Sequence, residues 1–265
     1  MTPATVTGAG VELAYEEAGS GDPLVLVHGT VSTRSIWDEV AGLVSDSYRV
    51  IRYDRRGWGE SGEPDGYRSS TVEEHADDLI ALLRGLDVAP AYLCGHSLGA
   101  MVCLDVIVRE PDLVRSAVIV EPPILWLAER GSEAASELGA AIQKGAAEHG
   151  PGGAIGAFVI NVCGPRAPEV VGPERAAAGL RHPQGFAADM SAVSNWSIPP
   201  RALRQIDRRV VLVAGTRTLE PWAEPTRALA GMIPGAKLRE ADSGHLVPNE
   251  QPQVVADAIR SLAQA

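Results

Sequence analysis

The 265-residue sequence predicts an α/β fold, a mostly parallel sheet covered by helices on both faces and carrying a helical insertion. Three observations carry this reading. Short, almost wholly apolar runs alternate with segments of helical periodicity, the rhythm of strands buried on both faces and joined by helices. That rhythm breaks between Trp126 and about Pro200, in a stretch rich in Ala and Gly without a convincing apolar strand, and then resumes. Between the apolar run Ala91–Cys94 and the helix-like run Ala100–Leu104 stands Gly95-His96-Ser97-Leu98-Gly99, the pattern of a strand–turn–helix elbow.

Taken in order, Val11–Glu17 alternates apolar and polar residues and suits a half-exposed strand. Gly19–Asp22 makes a turn, and Pro23–Val27 is a continuous apolar run expected to be a buried parallel strand. A helix over Ile36–Val44 and a strand over Tyr48–Tyr53 follow. Thr71, with Glu74 three residues on, forms a capping box for a helix whose apolar face holds Ala76, Leu79, Ile80, Leu82 and Leu83. Val114–Val120 is the next strand. The insertion shows helical patches near 134–147 and 186–193 and ends at Ile198-Pro199-Pro200, read as a rigid hinge. Val210–Ala214 resumes the sheet, followed by a helix near 222–232, a short strand around 236–241 and a last helix over Gln253–Leu262.

Composition bounds the function. An apolar share of 45% with 22% charged residues is that of a soluble globular protein. The formal net charge of −11, with no Lys/Arg cluster to offset it, argues against a nucleic-acid partner. The segment 1–10 lacks a basic start and an apolar core, and no apolar stretch approaches the roughly 20 residues that span a bilayer. Cys94, Cys103 and Cys163 are odd in number and lack metal-ligand spacing, so free thiols in a reducing cytoplasm are expected.

The candidate chemistry begins at Ser97. Glycines two residues to either side let the backbone turn tightly and lift the hydroxyl clear of the sheet. The helix that follows points its unpaired N–H groups at any anion formed there. His245, in Asp242-Ser243-Gly244-His245 after the last predicted strand, supplies an imidazole base at the carboxyl edge of the sheet. His28-Gly29-Thr30 follows Val27 directly; Gly29 lets the backbone approach a reacting carbonyl, and the N–H groups of Thr30 and Leu98 can pair as an oxyanion hole. His28 is expected to buttress that loop, and Asp54 to brace its own. Gly8–Gly10 and Gly150–Gly156 do not link a strand to a helix and are read as turns. His75, His149 and His182 are scattered. Within the insertion, Trp126, Phe158, Met190 and Trp196 are candidates to line a substrate pocket, as is Phe186.

With these segments in this order the chain resembles the α/β-hydrolase superfamily, over residues 11–125 and 200–265. Asp54-Arg55-Arg56-Gly57-Trp58-Gly59-Glu60-Ser61 resembles that family's stretch after the fourth strand. The resemblance implies an eight-stranded sheet, a core of 1–125 and 200–265, a helical cap of 126–199, and a triad in the order serine, acid, histidine. The acid departs from the common pattern. Where most members carry aspartate after the strand that follows the cap, this chain reads Gly215-Thr216-Arg217-Thr218. Glu220 and Asp242 lie nearby, but Glu121 is the better candidate: it ends the strand after the nucleophile helix, and a charge closing an apolar run needs a partner if buried. That placement is similar to a subgroup including haloalkane dehalogenases and, with a serine nucleophile, zearalenone-type lactone hydrolases.

The expectation is therefore a cytoplasmic, cofactor-free and metal-free serine hydrolase of a small apolar ester or lactone, with catalytic Ser97, His245 and Glu121. Alternatives are C–C bond or thioester hydrolysis or perhydrolysis by the same triad, or a non-catalytic binding member of the fold. No nucleic-acid or membrane partner is expected, and a homodimer stays open.

Overall fold

In the computed structural model, which describes residues 4–263, eight strands form one sheet in the order β1-β2-β4-β3-β5-β6-β7-β8. They are β1 (Ala4–Thr7), β2 (Glu12–Ala18), β3 (Asp22–Val27), β4 (Tyr48–Tyr53), β5 (Ala91–His96), β6 (Val114–Val120), β7 (Arg209–Gly215) and β8 (Lys237–Ala241). The first hairpin is antiparallel and β2 joins β4 antiparallel, while β4, β3, β5, β6, β7 and β8 pair in parallel. The short β1, absent from the sequence reading, is exposed over most of its length and carries no apolar run. The outermost residues assigned to the core, 1–3 and 264–265, lie outside the described residues.

The apolar runs are continuous because both faces of the sheet are covered. Val25 and Val27 point into one cluster with Leu79, Leu82, Leu83 and Met101, supplied by α2 (Val72–Gly85) and α3 (Leu98–Arg109). Leu24 and Leu26 point the other way, into a cluster with Trp37, Val40, Val255 and Ile259. These last residues come from a 3₁₀ turn (Arg34–Trp37), α1 (Asp38–Val44) and the C-terminal helix (Pro252–Leu262).

Helices occupy the interval between β6 and β7: α4 (Gly131–Cys163), α5 (Ala167–Val171), α6 (Pro173–Gly179), α7 (Pro183–Asn195) and α8 (Pro200–Arg204). The reading of Gly150–Gly156 as a turn is corrected here. Only His149 and Gly150 leave helical geometry, Gly150 at φ +64°, and the chain is helical again from Pro151. Pro151 supplies no amide hydrogen but suits the first turn of the returning helix, and Gly152, Gly153 and Gly156 are helical within it. Ala154, Ile155, Phe158 and Val162 of this second leg bury against Trp58, Phe186 and Trp222 in a third cluster. The segment read as a hinge, Ile198-Pro199-Pro200, instead leads into α8, with Pro200 at its first position. After β7 come α9 (Glu224–Ala230), shorter than expected, α10 (Val247–Glu250) and α11 (Pro252–Leu262).

The chain leaves β3 for β4 on one side and returns for β5 on the other, so strand order reverses between β4 and β5. In open α/β sheets, ligand crevices form outside the carboxyl ends of the strands at such a reversal. Those ends are Val27 and His96.

The capping box forms as expected. The Glu74 N–H donates to Thr71 Oγ1 at 3.1 Å and the Thr71 N–H donates to Glu74 Oε2 at 2.9 Å. Thr71→Ala should cost about 1 kcal/mol, seen as a lower denaturation midpoint with unchanged activity; an unaltered midpoint would show that packing of α2 makes the cap redundant.

Candidate active site

Ser97 links β5 to α3 with φ +55° and ψ −123°, a conformation costly for any residue with a Cβ. Its surroundings hold it there. Its N–H donates to Val120 O of β6 at 2.9 Å, and its own carbonyl accepts from Ala100 and Met101 as α3 begins. A Cβ on Gly99 would lie 2.2 Å from Val27 O, and one on Gly95 would lie 2.3 Å from Gly99 O. The two motif glycines thus allow strand and helix backbones to touch. Gly29 is pressed against the serine itself: a Cβ there would stand 2.8 Å from Ser97 Cβ. Leu98 is the first residue of α3, where a helical N–H has no intrahelical acceptor.

His245 is 3% exposed, in the loop between β8 and α10. Its Nδ1 lies 3.2 Å from Glu121 Oε2, and the other carboxylate oxygen accepts the Gly215 N–H at 2.6 Å. Glu121 is wholly buried and, like Ser97, left-handed, at φ +51°. The rival carboxylates face elsewhere. Asp242 pairs with Arg217, Glu220 with Arg227, and both are largely exposed. Thr218, where the common aspartate would stand, is buried with its hydroxyl unpartnered.

His96, the variable residue before the serine, was missed. Its Nε2 donates to the backbone carbonyl of His245 at 2.9 Å and its ring lies 4.9 Å from the His245 ring. Burial, reinforced by His245, pushes His96 down to about 3, so it is neutral. Only its place inside the motif could have drawn attention to it. His28 plays the expected buttressing part, accepting the Arg55 N–H at Nε2 and donating from Nδ1 to Gly29 O. Asp54 accepts the N–H groups of Arg34 and Glu60, bracing its loop as anticipated.

Two cavities meet at Ser97. The larger, about 430 Å³, is lined by four of the five candidates, Trp126, Phe158, Met190 and Trp196, together with Ser97 and Thr30, whereas Phe186 lines neither cavity and is buried against Trp58 and Phe158 in the third cluster. The smaller, about 80 Å³, joins Ser97 and His245 to Thr30, Ser32 and Asn249, and shares Phe158 with the first. Among the described residues no Asp, Glu, Lys or Arg lines either. Trp196 also packs into the main core, with its indole N–H on Asp105. The cysteines are free; Cys94 and Cys103 are buried, and burial raises Cys163 to about 12. Among the described residues no group of three His, Cys, Asp or Glu side chains could hold a metal, and no helix is long and apolar enough to cross a membrane.

A doubly covered sheet with a left-handed serine elbow at its reversal point and a buried carboxylate–histidine pair beside it defines a hydrolase-like architecture. The chain belongs to the alpha/beta hydrolase family, whose model matches residues 24–258. It is similar to the thermophilic esterase of Thermogutta terrifontis, with a TM-score of 0.82 and 26% identity covering 98% of this chain and 97% of that one. It is also similar to Est816, described as an N-acyl homoserine lactone degrading enzyme (TM-score 0.78, 27% identity, 97% and 99% covered). In sequence it is 35% identical over 136 residues to the non-heme chloroperoxidase CPO-A1 of Kitasatospora aureofaciens, covering 49% of this chain and 48% of that protein. The chain thus spans under half the length of such curated relatives.

Three buried histidines give the fold a pH dependence. Burial, with Arg55 nearby, lowers His28 and His75, and burial with His245 nearby lowers His96. In the unfolded chain all three take up protons below about pH 6.5, so the unfolded state binds more protons there and stability is lost as the pH is lowered. Each contributes up to about 1.4 kcal/mol per pH unit. Asp54 and Asp105, raised by burial, oppose this only in the carboxylate range. The urea midpoint should drop steadily from about pH 7 to about pH 5; a flat profile would contradict neutral burial.

Proposed function

We propose that this protein is a cofactor-free serine hydrolase of neutral carboxylic esters or lactones, with Ser97 as nucleophile, His245 as base and Glu121 as the triad acid. The observation that carries the reading is the 3.2 Å contact of His245 Nδ1 with Glu121 Oε2, on an imidazole that shares a cavity wall with Ser97. Glu121 holds the imidazole in the tautomer whose Nε2 accepts the serine proton, and its charge stabilises the imidazolium that forms. Ser97 attacks the carbonyl, and the N–H groups of Thr30 and Leu98 receive the oxyanion, such donors contributing roughly 2.7–4 kcal/mol. His245 returns the proton to the leaving alcohol, and water then releases the acyl group.

Residues 126–199 act in this reading as the cap over the serine, with 1–125 and 200–265 as core. The described lining of both cavities is uncharged and largely apolar, which favours apolar substrates without a carboxylate, since an ion buried among these residues would lack a partner. The likeness to an esterase and to a lactone-degrading enzyme supports the same class. Free cysteines fit the cytoplasm as its compartment. The likeness to a chloroperoxidase favours a second use of the same acyl-enzyme, perhydrolysis, measurable as peracid formed from a carboxylic acid and hydrogen peroxide.

Ser97→Ala should abolish ester turnover and fluorophosphonate labelling while leaving the melting temperature nearly unchanged; near-normal turnover would end the mechanism. Glu121→Gln should lower kcat by at least about a hundredfold, since the comparable acid-to-amide change in a serine protease cost ~10⁴. Glu220→Gln and Asp242→Asn should be far milder, and the opposite ranking would move the acid without touching the serine and histidine. Phe158→Ala, at the wall shared by both cavities, should alter relative rates across acyl lengths by roughly 1–3 kcal/mol per methylene-sized change. A loss of stability with unaltered preference would make Phe158 a packing residue.

A further inference from the structure

Arg55 and Asp189 form a fully buried ion pair that the chemistry above does not use, their side chains 1% and 0% exposed. Arg55 follows β4, while Asp189 lies on α7 of the inserted helices. Every donor of the guanidinium is engaged. Nε donates to His28 O at 2.9 Å, and Nη2 donates to Gly29 O at 3.0 Å and Asp189 Oδ2 at 2.7 Å. Nη1 donates to Asp189 Oδ1 at 2.9 Å and stands 3.4 Å from Nδ1 of His75. The Trp58 indole N–H adds a bond to Asp189 at 3.1 Å.

The carbonyl of Gly29 therefore receives two donors, Nη2 of Arg55 and Nδ1 of His28 at 2.8 Å, on a ring whose Nε2 is fixed by the Arg55 N–H. The Gly29–Thr30 peptide is not among the cis bonds, and a trans peptide is a plane whose C=O and N–H point in opposite directions. Tying the Gly29 carbonyl into the interior thus aims the Thr30 N–H the other way, away from Arg55. Thr30 lines both cavities there with Ser97.

A buried ion pair is weak evidence for stability, because apolar residues of similar volume often do as well. Such residues would leave the Gly29 carbonyl held by His28 alone, and would free that residue's own carbonyl from Nε of Arg55. We propose that Arg55, clamped by Asp189, is a positioning residue that sets the plane of the Gly29–Thr30 peptide and so ties the seating of α7 to the aim of the oxyanion donor. This rests on the reading of Ser97 as nucleophile and Thr30 as donor.

The test uses an alkyl trifluoromethyl ketone, which adds Ser97 Oγ to its carbonyl carbon, the serine proton passing to His245, to give a hemiketal visible by ¹⁹F NMR. Oriented N–H donors lower the pKa of that hemiketal hydroxyl. Two variants are compared with wild type. Arg55→Lys keeps Asp189 paired but lacks the fork of donors, and Arg55→Met with Asp189→Leu removes both charges together. For both, kcat is expected to fall about ten- to hundredfold, less than the loss on deleting a donor outright, with KM within about threefold. The hemiketal pKa is expected to rise by about 1–2 units, the same factor on an equilibrium scale.

Folded variants with unchanged hemiketal pKa, whether activity is kept or kcat and KM fail together, would make the pair a packing device and overturn the proposal alone. A wild-type protein that forms no Ser97 hemiketal would overturn the underlying reading and the proposal with it. If the double variant fails to fold, Arg55→Lys decides.

Discussion

The contact on which the site depends is one of backbone with backbone. The start of α3 lies against the last carbonyls of β3, so close that a methyl group on Gly99 would sit 2.2 Å from Val27 O. This approach brings the His28–Thr30 loop to the serine, and it does so at the point where strand order reverses. Everything polar at the site is then arranged around a fixed gap between two chain segments. Ser97, the loop that carries Thr30 and the first turn of α3 are thereby brought together by backbone packing.

The proposed acid shows how a buried carboxylate can be placed on one strand and held by its neighbour. Glu121 ends β6 and Gly215 ends β7, and the Gly215 N–H donates to the carboxylate of Glu121. The strand end at which the family resemblance leads one to expect an aspartate here contributes a backbone donor to the neighbouring strand's glutamate. Thr218 retains the buried location without the charge. A wholly buried carboxylate is tolerable because both its oxygens are met, one by this N–H and one by His245.

What the sequence revealed follows from which forces act locally. The strands from Pro23 onward and the capped helix at Thr71 were readable because burial on both faces leaves unbroken apolar runs and a cap is a local hydrogen bond. The proximity of His245 to Glu121 could be anticipated because Glu121 follows β6 directly and His245 lies in the loop after β8. β1 was not, since its pairing with β2 rather than its own side chains makes it a strand. The glycine-rich leg from Pro151 was hidden because its helicity comes from packing against Trp58 and Phe186, residues far away in sequence. The Arg55–Asp189 pair spans 134 positions, and nothing local marks either member.

Among the described residues, the non-glycine positions with left-handed φ are Val31, Asp87, Ser97 and Glu121, and three of these four surround the site. For β-branched Val31, one residue beyond Thr30, that conformation is a genuine outlier. Held strain of this kind costs of order 1–3 kcal/mol per residue. Glycine or asparagine would relax the chain at these positions, so under the proposed chemistry thermostability and turnover pull in opposite directions there. A population of variants selected for heat resistance alone would change first at Val31 and Glu121, while the sheet beneath became sturdier.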